Sequence, residues 1–552
     1  MKTHLVMGTA LAMAMAGAAQ ALPADFRARA DALLQSSYAD SGPGAAVIVT
    51  DDGKVVYKAG RGLADIERKA AIGPDTVFRM GSITKQFSAA IVLQLAAEGK
   101  LSLDDPLSKF LPDYPRPGAD ATVAQLLNHT VGVQSYTAIP GFMAGEAPAK
   151  AVTTDQLIAM FKDMPSPSRP GEKFEYNNSG YVLVGAVIEK VTGMPWHQAV
   201  EERIARPLGL KSVRYGVLES ETASMATGYT RRDGKVAPAR PIHMSIPHAA
   251  GALIGTVEDL AKWNAALHGG KVIPAAWHAK MVTPTRLPDG TVEQYGFGIA
   301  NRDVRGRKAV GHGGGIFGFS TDSIYLPEED VFVAVFTNSD EPQTDPGMVT
   351  LKLAALAVGD PFPAFRKQAL DAKAVEPWLG VYKVANGERR LFMRDGKLFT
   401  QRSGGQELQA VSAGGGRYFY ETSLTWFELK RDGAGTPVMA MYQQGAKSAE
   451  ESARSGPIPP EPKAVEVPRA TLASYAGTYQ SPIGTFTVAL PAEGPMTVQL
   501  TGQPAIPVEA VSQSEFRAVG VDARILFQAE GGKVTGLVLR QGGRELPAKR
   551  SD

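Results

Sequence analysis

Cysteine is missing from all 552 residues. Disulfides, thiolate metal sites, cysteine nucleophiles and acylation of an N-terminal cysteine are therefore excluded. Neither sign of charge dominates: 58 Lys and Arg against 56 Asp and Glu leave a formal +2. That balance gives no basic surface for nucleic acid or for an anionic membrane. Beyond the N-terminal segment no apolar run approaches the ~20 residues that cross a bilayer. Several motifs are absent as well. There is no G-x-S-x-G nucleophile elbow, no G-x-x-x-x-G-K-[ST] phosphate loop and no H-E-x-x-H, and the eight histidines show no ligand spacing. No metal and no cofactor is expected.

What is present is an ordinary globular composition, 44% hydrophobic and 21% charged, in a chain long enough for two to four domains. Residues 1–21 read as a cleavable signal peptide. Lys2 precedes the apolar stretch Leu5 to Ala18, and Ala19-Gln20-Ala21 fits an A-x-A cleavage site. The expectation is an exported protein, periplasmic or extracellular. "AAVIVTDDGKVVYKAG" (45–60) has the pattern of a hairpin around an Asp-Gly turn. In "GSITKQFSAAIVLQLAAEGK" (81–100) Ser82 can start a helix, Gly99 can stop it, and the middle is apolar nearly all round, which describes a buried helix. Helical patterns then dominate to about Thr285, and strands return at "STDSIYLPEEDVFVAVFTN" (320–338). Strands at both ends and helices between them predict an α+β domain, a mixed antiparallel sheet with a helical insertion, over 22–365.

Proline-rich stretches at 359–365 and 455–468 mark linkers. Across the second, "WLGVY" (378–382) is answered by "YAGTY" (475–479), and "LQAVS" (408–412) by "VEAVS" (508–512). The repeat predicts two small antiparallel β-barrels, 370–455 and 466–552, with one larger sandwich of both halves as the alternative.

Three segments carry chemistry. In Ser82-Ile83-Thr84-Lys85 the spacing i, i+3 puts a hydroxyl and an amine on one helix face. A lysine in the flank of a buried helix has a depressed pKa and can take the proton of the serine. In "GEKFEYNNSGY" (171–181) Tyr176 can share a proton with that pair, its pKa lowered by the neighbouring cation, and Asn178 can hold Lys85 and a substrate carbonyl together. In "VGHGGGIFGFS" (310–320) the glycines let backbone N–H groups approach a ligand, and one such amide can join that of Ser82 in an oxyanion hole. His129 reads as a hydrogen-bonder in a loop, and His197, His268 and His278 as surface or packing residues.

Taken in order, S-x-x-K, Tyr-x-Asn and a basic-residue-x-Gly motif before a late strand resemble the penicillin-recognising serine hydrolases. That family includes class C β-lactamases, D,D-carboxypeptidases, D-aminopeptidases and related esterases. "LLNHTVGV" (126–133), "GALIGTVEDLAKW" (251–263) and "YGFGIA" carry the same resemblance. It spans about 24–359 and implies a β-lactamase/transpeptidase-like fold. Ser82 would be the nucleophile and Lys85 with Tyr176 the proton-transfer pair. Asn178, His312 and Gly314 would position substrate, and the amides of Ser82 and Gly315 would form the oxyanion hole. Two lipocalin-like barrels after the hydrolase domain are similar to bacterial D-aminopeptidases. In those enzymes a loop of the last barrel brings acidic residues to the cleft, whereas "YQSPIGTFTV" (479–488) has none.

Where β-lactamases keep a lysine this chain has His312, and a mostly neutral imidazole anchors a substrate carboxylate poorly. The expected activity is hydrolysis of D-amino-acid amides or short peptides, with carboxylic esters as the alternative and weak or no β-lactam turnover. A reading of another class is a non-catalytic or acyl-trapping sensor of peptidoglycan fragments. The expected partners are small peptide, amide or ester substrates.

Overall fold

The computed structural model describes residues 22–216, 224–385, 387–460 and 464–551. The signal-peptide expectation, residues 1–21, lies outside them. No helix among the described residues is long and apolar enough to cross a membrane.

Helix α1 (Phe26–Ser37) leads into strands β1 (Ala45–Asp51) and β2 (Lys54–Arg61). Their turn puts Asp52 and Gly53 at φ 51° and 70°, as a two-residue hairpin loop of the primed type requires. Helices α2 (Thr84–Ala97) and α3 (Asn178–Thr192) belong to the insertion that follows. The chain then returns through β3 (Ala300–Val304), β4 (Arg307–Ile316), β5 (Phe319–Leu326) and β6 (Val331–Thr337) to helix α4 (Pro346–Ala357). The six strands form one sheet in the order β3-β4-β5-β6-β1-β2, antiparallel throughout.

Period-two alternation divides this sheet between two cores. Val47, Val49, Val333 and Val335 face α1 and α4, whereas Ala46, Ile48, Ala334 and Phe336 face the helical insertion. Strands β1 and β6 are buried on both faces, so their sequences are continuously apolar. Helix α2 sits in the middle of the insertion with twelve buried residues out of fourteen. It ends as its glycine predicts: Gly99 turns left-handed at φ 70°, and the amides of Gly99 and Lys100 cap the carbonyls of Ala96 and Leu95.

Two closed eight-stranded antiparallel barrels follow, with strands from Gly380–Val384 to Glu450–Gly456 and from Gly477–Ser481 to Arg544–Arg550. Closure of each barrel on itself rules out the single sandwich. The repeat has a physical counterpart. Tyr382 donates its hydroxyl to the carbonyl of Trp378, and Tyr479 does the same to Tyr475. In both units the glycine between them is at φ near 150°. The first barrel is tied to the hydrolase domain around Asp360, which pairs with Arg305, Arg307 and Lys447.

Candidate active site

The segment ahead of α2 enters with Gly81 at φ 54° and forms a single 3-10 turn, Gly81–Ile83, before the α-helix begins at Thr84. Ser82, expected to start a helix, therefore lies inside that turn, two residues ahead of the α-helix. The i, i+3 relation to Lys85 survives, because a 3-10 turn repeats every three residues. Gly81 is required twice over. Its φ is left-handed, and a Cβ there would stand 3.0 Å from the amide nitrogen of Gly315 and 3.2 Å from the Cα of Gly314. Strand β4 thus brings its glycines against the serine turn, and Thr321 of β5 fastens the contact by donating to the carbonyl of Met80 at 2.9 Å.

Lys85 is completely buried. Its Nζ lies 3.0 Å from the Oγ of Ser82, 2.9 Å from the Oδ1 of Asn178 and 2.8 Å from the carbonyl oxygen of Ala250. The amide of Asn178 is oriented by its other end, where Nδ2 donates to the Oγ1 of Thr137 at 3.2 Å. Burial pushes the amine well below the usual lysine pKa, as expected from sequence. A neutral amine has two protons and one lone pair. Two of its neighbours, the Asn178 and Ala250 oxygens, can only accept, so the lone pair faces the one neighbour able to donate, the Ser82 hydroxyl.

Tyr176 leaves 41% of its surface open, but its hydroxyl end is enclosed and turned to Ser82. Lys85 Nζ stands 4.8 Å from the ring centroid. The phenol pKa is raised by burial, with the Ser82 hydrogen bond opposing. This corrects the expectation that a cation would lower it: the same burial that encloses the phenol pushes Lys85 towards its neutral form. Tyr176 is a protonated donor.

His312 is buried, at 6% exposure, and both ring nitrogens are engaged. Nδ1 lies 2.5 Å from the carbonyl of Gly313 and must donate to it, so Nε2 is the acceptor for the Tyr295 hydroxyl at 2.8 Å. Burial and then the nearby Lys85 push its pKa down to about 3, so the ring is neutral. His129 is also held neutral by burial and Lys85. Its Nδ1 accepts from the amide of Asn177, the loop role expected of it, while its ring packs 4.3 Å from that of Tyr176.

A cavity of about 330 Å³ opens over Ser82, lined among others by Asn178, Ala250, Gly315, Ser320, Phe317 and Asp340. Neither His312 nor Gly314 lines it. His312 lies behind the wall, and Gly314 is packed so closely on Met80 that a Cβ would meet its carbonyl oxygen at 2.1 Å. Among the described residues, none from the barrels lines it. A wider hollow of about 840 Å³ between Gln125, Arg169 and Leu287 has none of these residues in its wall.

The structure therefore brings together Ser82, Lys85, Tyr176, Asn178 and Gly315. Sequence reasoning missed Ala250, Thr137, Tyr295 and Asp340. Ala250 acts through a carbonyl that any residue could supply, so it leaves no sequence signal. Tyr295 stands in "YGFGIA", a phrase that carried the resemblance but no assigned role.

Comparison with known proteins bears on the family and the fold. The family model described as Beta-lactamase matches residues 26–357. A D-aminopeptidase of Gluconobacter oxydans is 27% identical over 333 residues, 58% of this chain and 60% of that protein, so the match spans three fifths of its length. Among solved structures, an octameric penicillin-binding protein homologue from Pyrococcus abyssi superposes with a TM-score of 0.55 at 25% identity, covering 78% of this chain and 99% of that one. A D-stereospecific amidohydrolase from Streptomyces gives 0.50 at 31% identity, over 60% and 98%.

Proposed function

The chain belongs to the Beta-lactamase family, and from that premise we propose that it is a serine hydrolase cleaving D-amino-acid amides or short peptides through an acyl-enzyme on Ser82. The observation that carries the mechanism is the trio of contacts around Lys85 Nζ, which leaves its lone pair for the serine proton. The amide preference is supported by relatives named D-aminopeptidase and D-stereospecific amidohydrolase.

Ser82 Oγ attacks the scissile carbonyl while its proton passes to Lys85 Nζ. The new C–O bond leaves a tetrahedral oxyanion, received by the amides of Ser82 and Gly315. Collapse breaks the C–N bond, and the departing nitrogen takes a proton from the Tyr176 phenol, which Lys85 then restores. Water attacks the ester, its proton moves to Lys85, and Ser82 leaves with a proton returned from it. Asn178, held by Thr137, keeps Lys85 aimed and offers its amide face to the substrate carbonyl.

The test is a matched panel of D- and L-amino-acid p-nitroanilides with p-nitrophenyl esters, together with mass spectrometry for acyl-Ser82. The expected result is turnover of D-configured amides, lost in Ser82→Ala, with the acyl mass on the peptide bearing Ser82. Turnover that persists in Ser82→Ala overturns the mechanism. Ester turnover with no amide cleavage overturns the substrate class.

A further inference from the structure

The hydrolase domain and the first barrel enclose a second cavity, of about 630 Å³, which shares no lining residue with the cleft over Ser82. One side is built from two helices that pack on each other. In α1, Arg29, Leu33 and Ser36 stand at i, i+4 and i+7, and in α4, Met348, Lys352 and Leu356 stand at i, i+4 and i+8. Each helix therefore turns one stripe to the cavity. The other side comes from the 361–366 linker and from barrel residues 419–425, and Phe365 stacks on Phe419 at 5.4 Å across that junction. Leu33, Leu356 and Phe362 continue into the apolar core beneath.

Within this apolar frame Lys352 is half-buried and has no hydrogen bond or ion pair among the described residues. Burial pushes its amine below the usual lysine range, and no acid opposes that effect. The other charges in the lining do not neutralise it. Arg29 pairs with Asp25 at 3.8 Å, and Glu421, the single acid among the lining residues, lies 4.0 Å from Lys367. Arg366, at the exposed edge, has no acidic partner among the described residues. A cation withdrawn from water without a counter-charge is costly unless an anion completes it.

We propose that this interdomain cavity binds an anionic amphiphile, with its charged head on Lys352 and its apolar body against Leu33, Leu356 and Phe365. A volume of about 630 Å³ is roughly 11 Å across if treated as a sphere, which is the size of a small-molecule site. A bare inorganic anion would leave the apolar walls wet, and a neutral amphiphile would leave Lys352 without a counter-charge. An apolar body with one anionic head satisfies both features. The site does not depend on what Ser82 hydrolyses.

The experiment titrates the full chain calorimetrically with three probes of one chain length: decanoate, decanol and decyltrimethylammonium. Each is measured on wild type, Lys352→Met and Lys352→Arg. Methionine keeps an apolar stem and removes the charge, and arginine restores a cation. Wild type is expected to bind decanoate at least fivefold more tightly than decanol, and the cationic probe more weakly than either. Lys352→Met is expected to bring decanoate and decanol within fivefold of each other, and Lys352→Arg to keep the preference. A second readout locates the site: acetylation of Lys352 by acetic anhydride, followed by peptide mass spectrometry, is expected to slow at least fivefold under saturating decanoate. A wild-type preference below fivefold overturns the proposal, because Lys352 then only lays its stem on apolar surface. A preference that persists in Lys352→Met, or acetylation of Lys352 slowed less than fivefold by decanoate, places the anion elsewhere and overturns it too.

Discussion

Gly81→Ala tests whether the amide of Gly315 takes part in the reaction. The substitution perturbs two things at once, and each has a size. An alanine at φ 54° pays the left-handed penalty of about 1–2 kcal/mol. Its Cβ would stand 3.0 Å from the Gly315 nitrogen and 3.2 Å from the Gly314 Cα and carbonyl carbon, all backbone atoms, so strand β4 must give way by a few tenths of an ångström. Losing an oxyanion donor outright costs about 10²–10³ in kcat, so a partial displacement should cost about 10–100-fold. The stability loss should lower the melting temperature by a few degrees. The assay is kcat on the best p-nitroanilide at a temperature well below melting, with the active fraction counted by burst titration so that unfolding does not masquerade as slow chemistry. If Gly81→Ala melts lower as expected but keeps kcat within threefold per active site, the Gly315 amide is not a donor in the transition state and the reasoning fails.

Lys85→Arg puts a permanent cation in this position and cannot supply a lone pair near neutral pH, so kcat should fall by about 10²–10⁴-fold with the fold retained by melting analysis. Because burial lowers the Lys85 pKa, the neutral base forms below the usual lysine range. The pH profile of kcat/KM should therefore rise through a pKa below 10.5, with no falling limb from Tyr176 until well above pH 10. Against the opposing effect of burial, Asp360 is depressed to about 2 by its partners Lys447, Arg307 and Arg305, so its contribution to docking the first barrel is present above pH ~4 and lost as pH falls from there to about 2. Asp360→Ala should speed proteolytic cleavage of the 361–371 linker at neutral pH, measured by gel. A chromogenic cephalosporin should be turned over with kcat/KM at least ~10³-fold below the best D-amino-acid amide, and comparable values would refute the substrate reading.

The parts of the fold legible in the sequence are those governed by local periodicity. The β1–β2 hairpin has its Asp-Gly turn, α2 has its all-round apolar character and its terminal glycine, and the paired tyrosines of the two barrels repeat down to their hydrogen bonds. What was not legible depends on distant segments meeting. Ser82 could be placed at a helix start, but not in a 3-10 turn entered left-handed through Gly81 against β4. Tyr176 looked acidified because Lys85 was taken as its charged neighbour, and burial acts on both groups. Asp340 stands in "TNSDEP", which reads as a polar strand end, and only the fold brings it to the amide of Gly318 and into the lining of the cleft. The Ala250 carbonyl could not have been found, since the backbone is the same in every residue.

The site's charge follows from burial more than from composition. Lys85 and two histidines close to it, His129 and His312, are all driven by burial towards their neutral forms. The effects reinforce one another, since the charge of Lys85 would add to the cost of protonating either histidine. The result is a base that needs no activating carboxylate and a neutral His312 locked between Gly313 and Tyr295. A lysine in place of His312 would supply a fixed cation behind the wall of the cleft and favour an anionic substrate; the neutral histidine withholds that cation, and the weak β-lactam turnover predicted above follows from it.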